Sequence, residues 1–213
     1  MDSIIFDLDG TMWDSTKAAA VVWQEVAKRN SSITDEVDSE RLKALYGLPL
    51  EDIARGLFKS VPEKVALETM EICVVEQNPY LTKHGGILLG KIEETLEVLY
   101  KKYKLFIVSN CKSGYIESFL EAHNLGKYFE DFECPGGTGL LKADNIRLVI
   151  ERNQLTSPIY VGDTDGDGVA AHEAGIPFVF ARYGFGESNE YEYVIDSFDG
   201  LLELEIIRRD LFK

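Results

Sequence analysis

Acidic and small polar residues recur in this sequence directly behind short apolar runs. Ser3-Ile4-Ile5-Phe6 leads into Asp7-Leu8-Asp9-Gly10-Thr11, Leu105-Phe106-Ile107-Val108 into Ser109-Asn110, and Ile159-Tyr160-Val161-Gly162 into Asp163-Thr164-Asp165-Gly166-Asp167. Carboxylates held close together repel, and each has its pKa raised unless a cation neutralises the cluster. A few hard oxygen ligands suit Mg2+, which keeps several waters and takes a phosphate oxygen as a further ligand. Any one Asp or Asn behind a strand is more often a turn former than a ligand. Three such strand ends together point to chemistry.

The third cluster also opens like a calcium-binding loop, with Asp163, Asp165, Asp167 and Gly168 at positions 1, 3, 5 and 6. Position 12 of that loop needs a bidentate Glu, but it falls on Ala174, with Glu173 one place early. The loop should also follow a helix, whereas an apolar, β-branched and aromatic run precedes it. The calcium reading is set aside, and Asp165 is left as a solvated neighbour.

Four apolar runs, residues 3–6, 105–108, 159–161 and 178–181, read as parallel strands buried on both faces. Between them Ile92, Leu96, Leu99 and Tyr103 recur along one face of a helix. Ile116, Phe119 and Leu120 begin a second helical face, and Ile146, Val149 and Ile150 a third. Strand and helix alternating in this way imply an α/β fold with a doubly wound, Rossmann-like parallel sheet. From about residue 16 to 82 the pattern changes to helical segments near 18–30, 39–46, 51–58 and 63–77, separated by Pro49, Pro62 and Pro79. The expected organisation is a core of residues 1–15 and 83–213 with an all-helical cap, 16–82, inserted after the first strand. In an open parallel sheet a ligand lies beyond the carboxyl ends of the strands, so the three polar clusters should meet on one edge.

The 213 residues suffice for a real core, and a net charge of -15 disfavours nucleic acid and anionic membranes as partners. No basic leader with a long apolar segment and no membrane-length apolar run is seen, so a cytoplasmic location is expected. Cys73, Cys111 and Cys134 show no metal-ligand spacing and read as reduced, partly buried thiols. The segment Pro135-Gly136-Gly137-Thr138-Gly139 reads as a turn. Lys142, taken alone, reads as a solvated lysine at a helix start.

Phe6-Asp7-Leu8-Asp9-Gly10-Thr11, Ser109-Asn110, Lys142, and Gly162-Asp163-Thr164 with Asp167 resemble, in order, the four motifs of the haloacid dehalogenase-like hydrolase superfamily. The helical insertion resembles the cap of its phosphoglycolate phosphatase and β-phosphoglucomutase branch, and Tyr46-Gly47-Leu48-Pro49 is similar to that cap's substrate loop. The resemblance implies that Asp7 is the nucleophile and forms an aspartyl-phosphate. It makes Asp9 the acid that protonates the leaving alcohol and then the base toward water. It gives Mg2+ to Asp7, the Asp9 carbonyl and Asp163. Gly10, Thr11, Ser109, Asn110 and Lys142 would bind the phosphoryl group, and Asp167 would orient Lys142 or a metal-bound water.

Asp9 argues for phosphoryl transfer rather than dehalogenation. The mutase branch has a His in its first cap helix and an Arg after the cap-loop glycine, where this chain has Ala19 and Pro49 or Leu50. A phosphatase acting on a small phosphorylated metabolite, as a monomer or weak homodimer, is the expectation; the mutase and a non-catalytic phospho-accepting module are the alternatives. Lys43 and Arg55 are the cap cations that would meet a substrate carboxylate. Departures from the phosphoglycolate pattern fall at Thr82-Lys83-His84-Gly85-Gly86, in place of a Tyr-Pro-Gly turn, and at Ala143, in place of proline. Hinges are expected near Asp14 and Lys83.

Overall fold

The computed structural model describes residues 1–211. Its strands are β1 (Ser3–Phe6), β2 (Trp13–Asp14), β3 (Ile87–Leu88), β4 (Lys104–Val108), β5 (Asp131–Glu133), β6 (Pro158–Gly162), β7 (Phe178–Ala181) and β8 (Tyr193–Ile195). Its helices are α1 (Thr16–Lys28), α2 (Ser39–Lys43), α3 (Leu50–Leu57), α4 (Glu63–His84), α5 (Ile92–Leu99), α6 (Tyr115–His123), α7 (Pro135–Thr138), α8 (Lys142–Arg152), α9 (Asp165–Glu173) and α10 (Glu205–Leu211).

Six strands form one parallel sheet in the order β5-β4-β1-β6-β7-β8. β1 lies between β4 and β6 and is buried throughout, which is why its four residues show no polar alternation. Ile4, Phe6, Ile107 and Val161 face one apolar layer with Leu96, Phe119 and Phe198. Ile5, Phe106, Val108 and Tyr160 face the other, with Ile146, Val149 and Phe178. The register pairs Phe6 with both Ile107 and Val161, so the chain leaves β1, β4 and β6 at one level and one edge.

Between Thr16 and His84 the described structure is helical, and α1 to α4 enclose their own apolar cluster around Trp23, Val26, Leu42, Leu57, Phe58 and Met70. The chain enters and leaves this bundle through β2 and β3, an antiparallel pair with Trp13 opposite Leu88 and Asp14 opposite Ile87. Gly86 lies at this neck, where a Cβ would fall 2.8 Å from both the Asp14 carbonyl and the Trp13 ring.

Four expectations need correction. Pro79 does not end a helix: α4 continues to His84 because Leu81, beyond the proline, is fully buried in the sheet's own apolar layer, and packing outweighs the lost backbone bond. The 135–139 segment is a single helical turn started by Pro135 and closed by Gly139 at φ 73° rather than a simple turn. The β2–β3 pair and the strands β5 and β8 carry no buried run long enough to announce them. Lys142 begins a helix as expected but is buried, only 6% exposed.

Candidate active site

Asp7 follows β1 and is 3% exposed; its backbone N–H donates to the Val161 carbonyl at 2.8 Å, which extends the ladder one residue past the strand. Lys142, at the first turn of α8, reaches across the edge to Asp7 Oδ1 at 2.7 Å and to Asp167 Oδ1 at 2.6 Å. The Ser109 hydroxyl, behind β4, lies beside the Asp7 carboxylate and lowers its pKa. Asp167 is held by α9. Its Oδ2 accepts from the Asp163 N–H at 3.1 Å, the Thr164 N–H at 3.0 Å and the Thr164 hydroxyl at 2.7 Å, while Thr164 accepts from the Asp167 N–H. This reciprocal cap starts the helix and explains why an acidic residue sits four places behind Asp163. The strand before it, and the exposed position of Asp165, agree with setting the calcium loop aside.

Asp163 is fully buried, with Oδ1 accepting from the Thr11 hydroxyl at 3.3 Å and Oδ2 from the Phe185 N–H at 2.7 Å. Glycines let the backbone close around it. Gly10 has φ +79°, and a Cβ there would fall 2.1 Å from Asp163 Oδ2; at Gly184 it would fall 2.2 Å from the Asp163 Cβ. Asp7, Asp163 and Asp167 each bring a carboxylate oxygen within 4.8 Å of the others. Three carboxylates share one ammonium, and the electrostatics follow. Burial raises the Asp7 carboxyl to about 6 against the pull of Lys142. Burial, then Asp167 and Asp7, hold Asp163 well above the usual carboxylate range. Burial would discharge Lys142, but Asp167 and Asp7 outweigh it and keep the ammonium charged. A buried set of hard oxygen donors with surplus negative charge fits a divalent cation.

Asp9 stands apart from that cluster, partly buried, with Oδ1 accepting from the Ser15 hydroxyl at 3.0 Å and the Tyr115 hydroxyl at 2.8 Å. Burial raises it to about 7, the Tyr115 bond opposing. The Ser15 and Tyr115 hydroxyls are themselves 2.6 Å apart, and Tyr46 from the helical bundle lines the same cavity. Asn110, expected at the phosphate, turns its side-chain amide to the Gly47 carbonyl at 3.1 Å and ties the Tyr46-Gly47-Leu48-Pro49 loop to the sheet edge. The cap cations are committed elsewhere: Lys43 lies 3.1 Å from Asp14, and Arg55 pairs with Asp52 and Glu63, each at 2.7 Å. All three cysteines are free, with Cys111 and Cys134 in thiol contact. Sequence reasoning missed Ser15, Tyr115 and Tyr183, whose hydroxyl donates to the Thr11 carbonyl at 2.7 Å. None carries a local signal. Each meets its partner only through the fold.

Residues 4–181 match the family described as haloacid dehalogenase-like hydrolase. A phosphoglycolate phosphatase of Aquifex aeolicus is 30% identical over 205 residues, covering 89% of this chain and 88% of its own. A phosphoglycolate phosphatase of Vibrio parahaemolyticus is 27% identical, with 94% of each covered. Among solved structures, a haloacid dehalogenase-like family hydrolase from Streptococcus pneumoniae superposes with TM-score 0.81 at 22% identity, over 95% of this chain and 97% of that one. A predicted phosphoglycolate phosphatase from Haemophilus somnus also gives 0.81, at 20% identity and 96% and 97% coverage. The match over most of the chain, on a parallel sheet whose strand ends bring Asp7, Lys142, Asp163 and Asp167 together, makes this protein an enzyme of the haloacid dehalogenase-like hydrolases, in their phosphoglycolate phosphatase-like branch.

Proposed function

We propose that this enzyme hydrolyses a small phosphomonoester through an aspartyl-phosphate on Asp7, in the manner of a phosphoglycolate phosphatase. The observation that carries the reading is the buried junction of Asp7, Lys142, Asp167 and Asp163 at the carboxyl edge of the sheet. The residues divide the work. An Asp7 oxygen forms a bond to phosphorus as the bond from phosphorus to the leaving alcohol breaks, and Asp9 gives its proton to that alcohol. Water then attacks phosphorus, Asp9 takes its proton, and the bond to Asp7 breaks to release phosphate. Lys142 and Ser109 neutralise and orient the phosphoryl oxygens in both steps, with Gly10, Thr11 and the Asn110 segment forming the rest of the cradle. Asp167 fixes the Lys142 ammonium. Tyr115 and Ser15 fix the Asp9 carboxyl facing the leaving group.

Asp7, Asp163 and the Asp9 carbonyl would hold Mg2+, which when bound offsets the charge of the carboxylates and of the phosphoryl group. The same reading divides the chain into a core of 1–15 and 83–213 and a cap of 16–82 that moves about the neck at β2 and β3. It has the protein work in the cytoplasm as a monomer or weak homodimer; no helix among the described residues is long and apolar enough to cross a membrane. The test is phosphate release from a panel of phosphomonoesters, with Mg2+ and with EDTA, by wild type and Asp7→Asn. Metal-dependent release lost in the variant is expected. No release by wild type from any ester would end the reading.

A further inference from the structure

The relatives' names say phosphoglycolate, whose leaving group ends in a carboxylate; the surroundings of Asp9 are built for something else. A cavity of about 40 Å3 opens beside Asp9, walled on the helical side by Trp23, Leu50, Ile53 and Val74. It adjoins a larger hollow of about 310 Å3 beyond Leu50 and Lys112. On the phosphatase reading, the leaving alcohol must lie here, because Asp9 delivers its proton here.

No uncommitted cation lines this space among the described residues. Asp9 and Glu51 line the two cavities, and Lys112 is the one cation among the described lining residues. Its ammonium is already 3.0 Å from Glu71, and Lys43 and Arg55 are held by Asp14, Asp52 and Glu63. The N-terminus of α3 also points toward this space. Its partial positive charge is offset by Glu51 and Asp52 in the first turn, and its Asp52 and Ile53 N–H groups donate to the Pro49 carbonyl. A substrate carboxylate brought here would lose water without gaining an uncommitted cation, and such burial is costly.

One polar group in the wall has spare capacity. Gln77, 4% exposed, accepts the Trp23 Nε1–H at 2.7 Å on its Oε1. Indole nitrogen only donates, so the amide oxygen must face it and the Gln77 –NH2 must face away. That nitrogen has no partner among the described residues, and Gln77 is one of the residues that line the cavity. It offers a neutral donor fixed in orientation, beside an apolar wall.

We propose that the enzyme selects a phosphomonoester whose leaving alcohol is uncharged and carries a hydroxyl or carbonyl oxygen that accepts from Gln77, in preference to one ending in a carboxylate. A site that must satisfy a buried donor rejects analogues lacking the acceptor, whereas an apolar wall alone discriminates weakly.

The matched pair 2-hydroxyethyl phosphate and 2-phosphoglycolate tests this, with ethyl phosphate as the analogue lacking an acceptor and p-nitrophenyl phosphate as a general probe, all with Mg2+. Wild type is expected to show kcat/KM for 2-hydroxyethyl phosphate about tenfold or more above both 2-phosphoglycolate and ethyl phosphate. Gln77→Glu keeps an acceptor for Trp23 and removes the free donor; the hydroxyethyl-to-ethyl ratio should fall about tenfold. Gln77→Leu should lower the same ratio, and because it is a ratio, partial loss of folded enzyme cancels. Preference for phosphoglycolate, or an unchanged ratio in both variants, overturns the proposal while hydrolysis of p-nitrophenyl phosphate leaves the phosphatase reading standing. No hydrolysis of any of the four by wild type overturns both.

Discussion

Asp2 and Asp7 flank the same four-residue strand and do opposite things. Asp2, at the amino edge of the sheet, accepts from the Thr156 N–H at 2.6 Å, the Thr156 hydroxyl at 2.7 Å, the Ser157 N–H at 3.1 Å and the Ser3 hydroxyl at 2.8 Å. Partial burial pushes its carboxyl up, but these neutral donors outweigh burial and hold it down at about 2. Asp7, at the carboxyl edge, is more deeply buried, shares one ammonium with Asp167, and is pushed up to about 6. The first carboxylate is surrounded by donors and stitches β1 to the loop before β6. The second is short of them, and its unmet charge is what a phosphoryl transfer and a cation can use. On the proposed function, the amino edge serves stability and the carboxyl edge reactivity.

The largest effect that would break this contrast is at Asp7. Asp7→Asn is expected to lower phosphate release by about 10³-fold or more, since the proposed nucleophile is gone, yet to leave the melting temperature unchanged or higher, because a buried charge has been removed. A variant that unfolds would mean that Asp7 holds the fold as Asp2 does. Next comes Lys142→Met, which leaves Asp7 and Asp167 facing each other without their cation. Activity should fall about 10²–10³-fold, and urea unfolding without metal should show a loss of about 3–5 kcal/mol. A loss under 1 kcal/mol would place Lys142 outside the balance that the geometry describes. At the other edge, Asp2→Ala should cost about 1 kcal/mol with kcat within about twofold of wild type, since Asp2 lies far from the site.

How far the sequence discloses these two edges differs for a physical reason. Asp7, Asp9, Asp163 and Asp167 stand out because each follows an apolar run that can only be a buried strand, and the sheet topology then brings them together. Asp2 precedes the same run and looks like any solvated residue, since its partners Thr156 and Ser157 are more than 150 positions away. Lys142 reads alone as a surface lysine, and only its resemblance to a motif assigns it to the site. Tyr115 and Gln77 are less legible still: an aromatic at a helix start reads as core, and a glutamine within α4 reads as polar surface, until the bundle closes over Asp9. The fold shows the same division. Strands with four apolar residues are visible, whereas Asp131–Glu133 at the sheet edge has the composition of a loop, and Pro79 suggests a break that Leu81 packing prevents.

The smallest effect, and the one that tests both edges in one experiment, is the pH dependence of stability in protein stripped of metal. Asp7 and Asp9 have carboxyls raised to about 6 and about 7, above the unfolded value of about 4. The folded state therefore binds their protons more readily than the unfolded chain does, so their contribution is present at low pH and is lost as pH rises through that window. Asp2 is shifted the other way, so its contribution is present above the unfolded value and is lost as pH falls toward about 2. The melting temperature should accordingly fall by a few degrees between pH 5 and pH 8, and fall again below pH 4. Asp2→Ala should blunt only the acid limb and Asp7→Asn only the neutral one. Saturating Mg2+ should shrink the neutral limb by the Asp7 share, because a cation held by Asp7 keeps that carboxylate ionised in the folded state, and should leave the acid limb alone, because Asp2 lies at the opposite edge of the sheet. A neutral limb that is flat without metal, or an acid limb that moves with Mg2+, would show that the two ends of β1 are not electrostatically distinct.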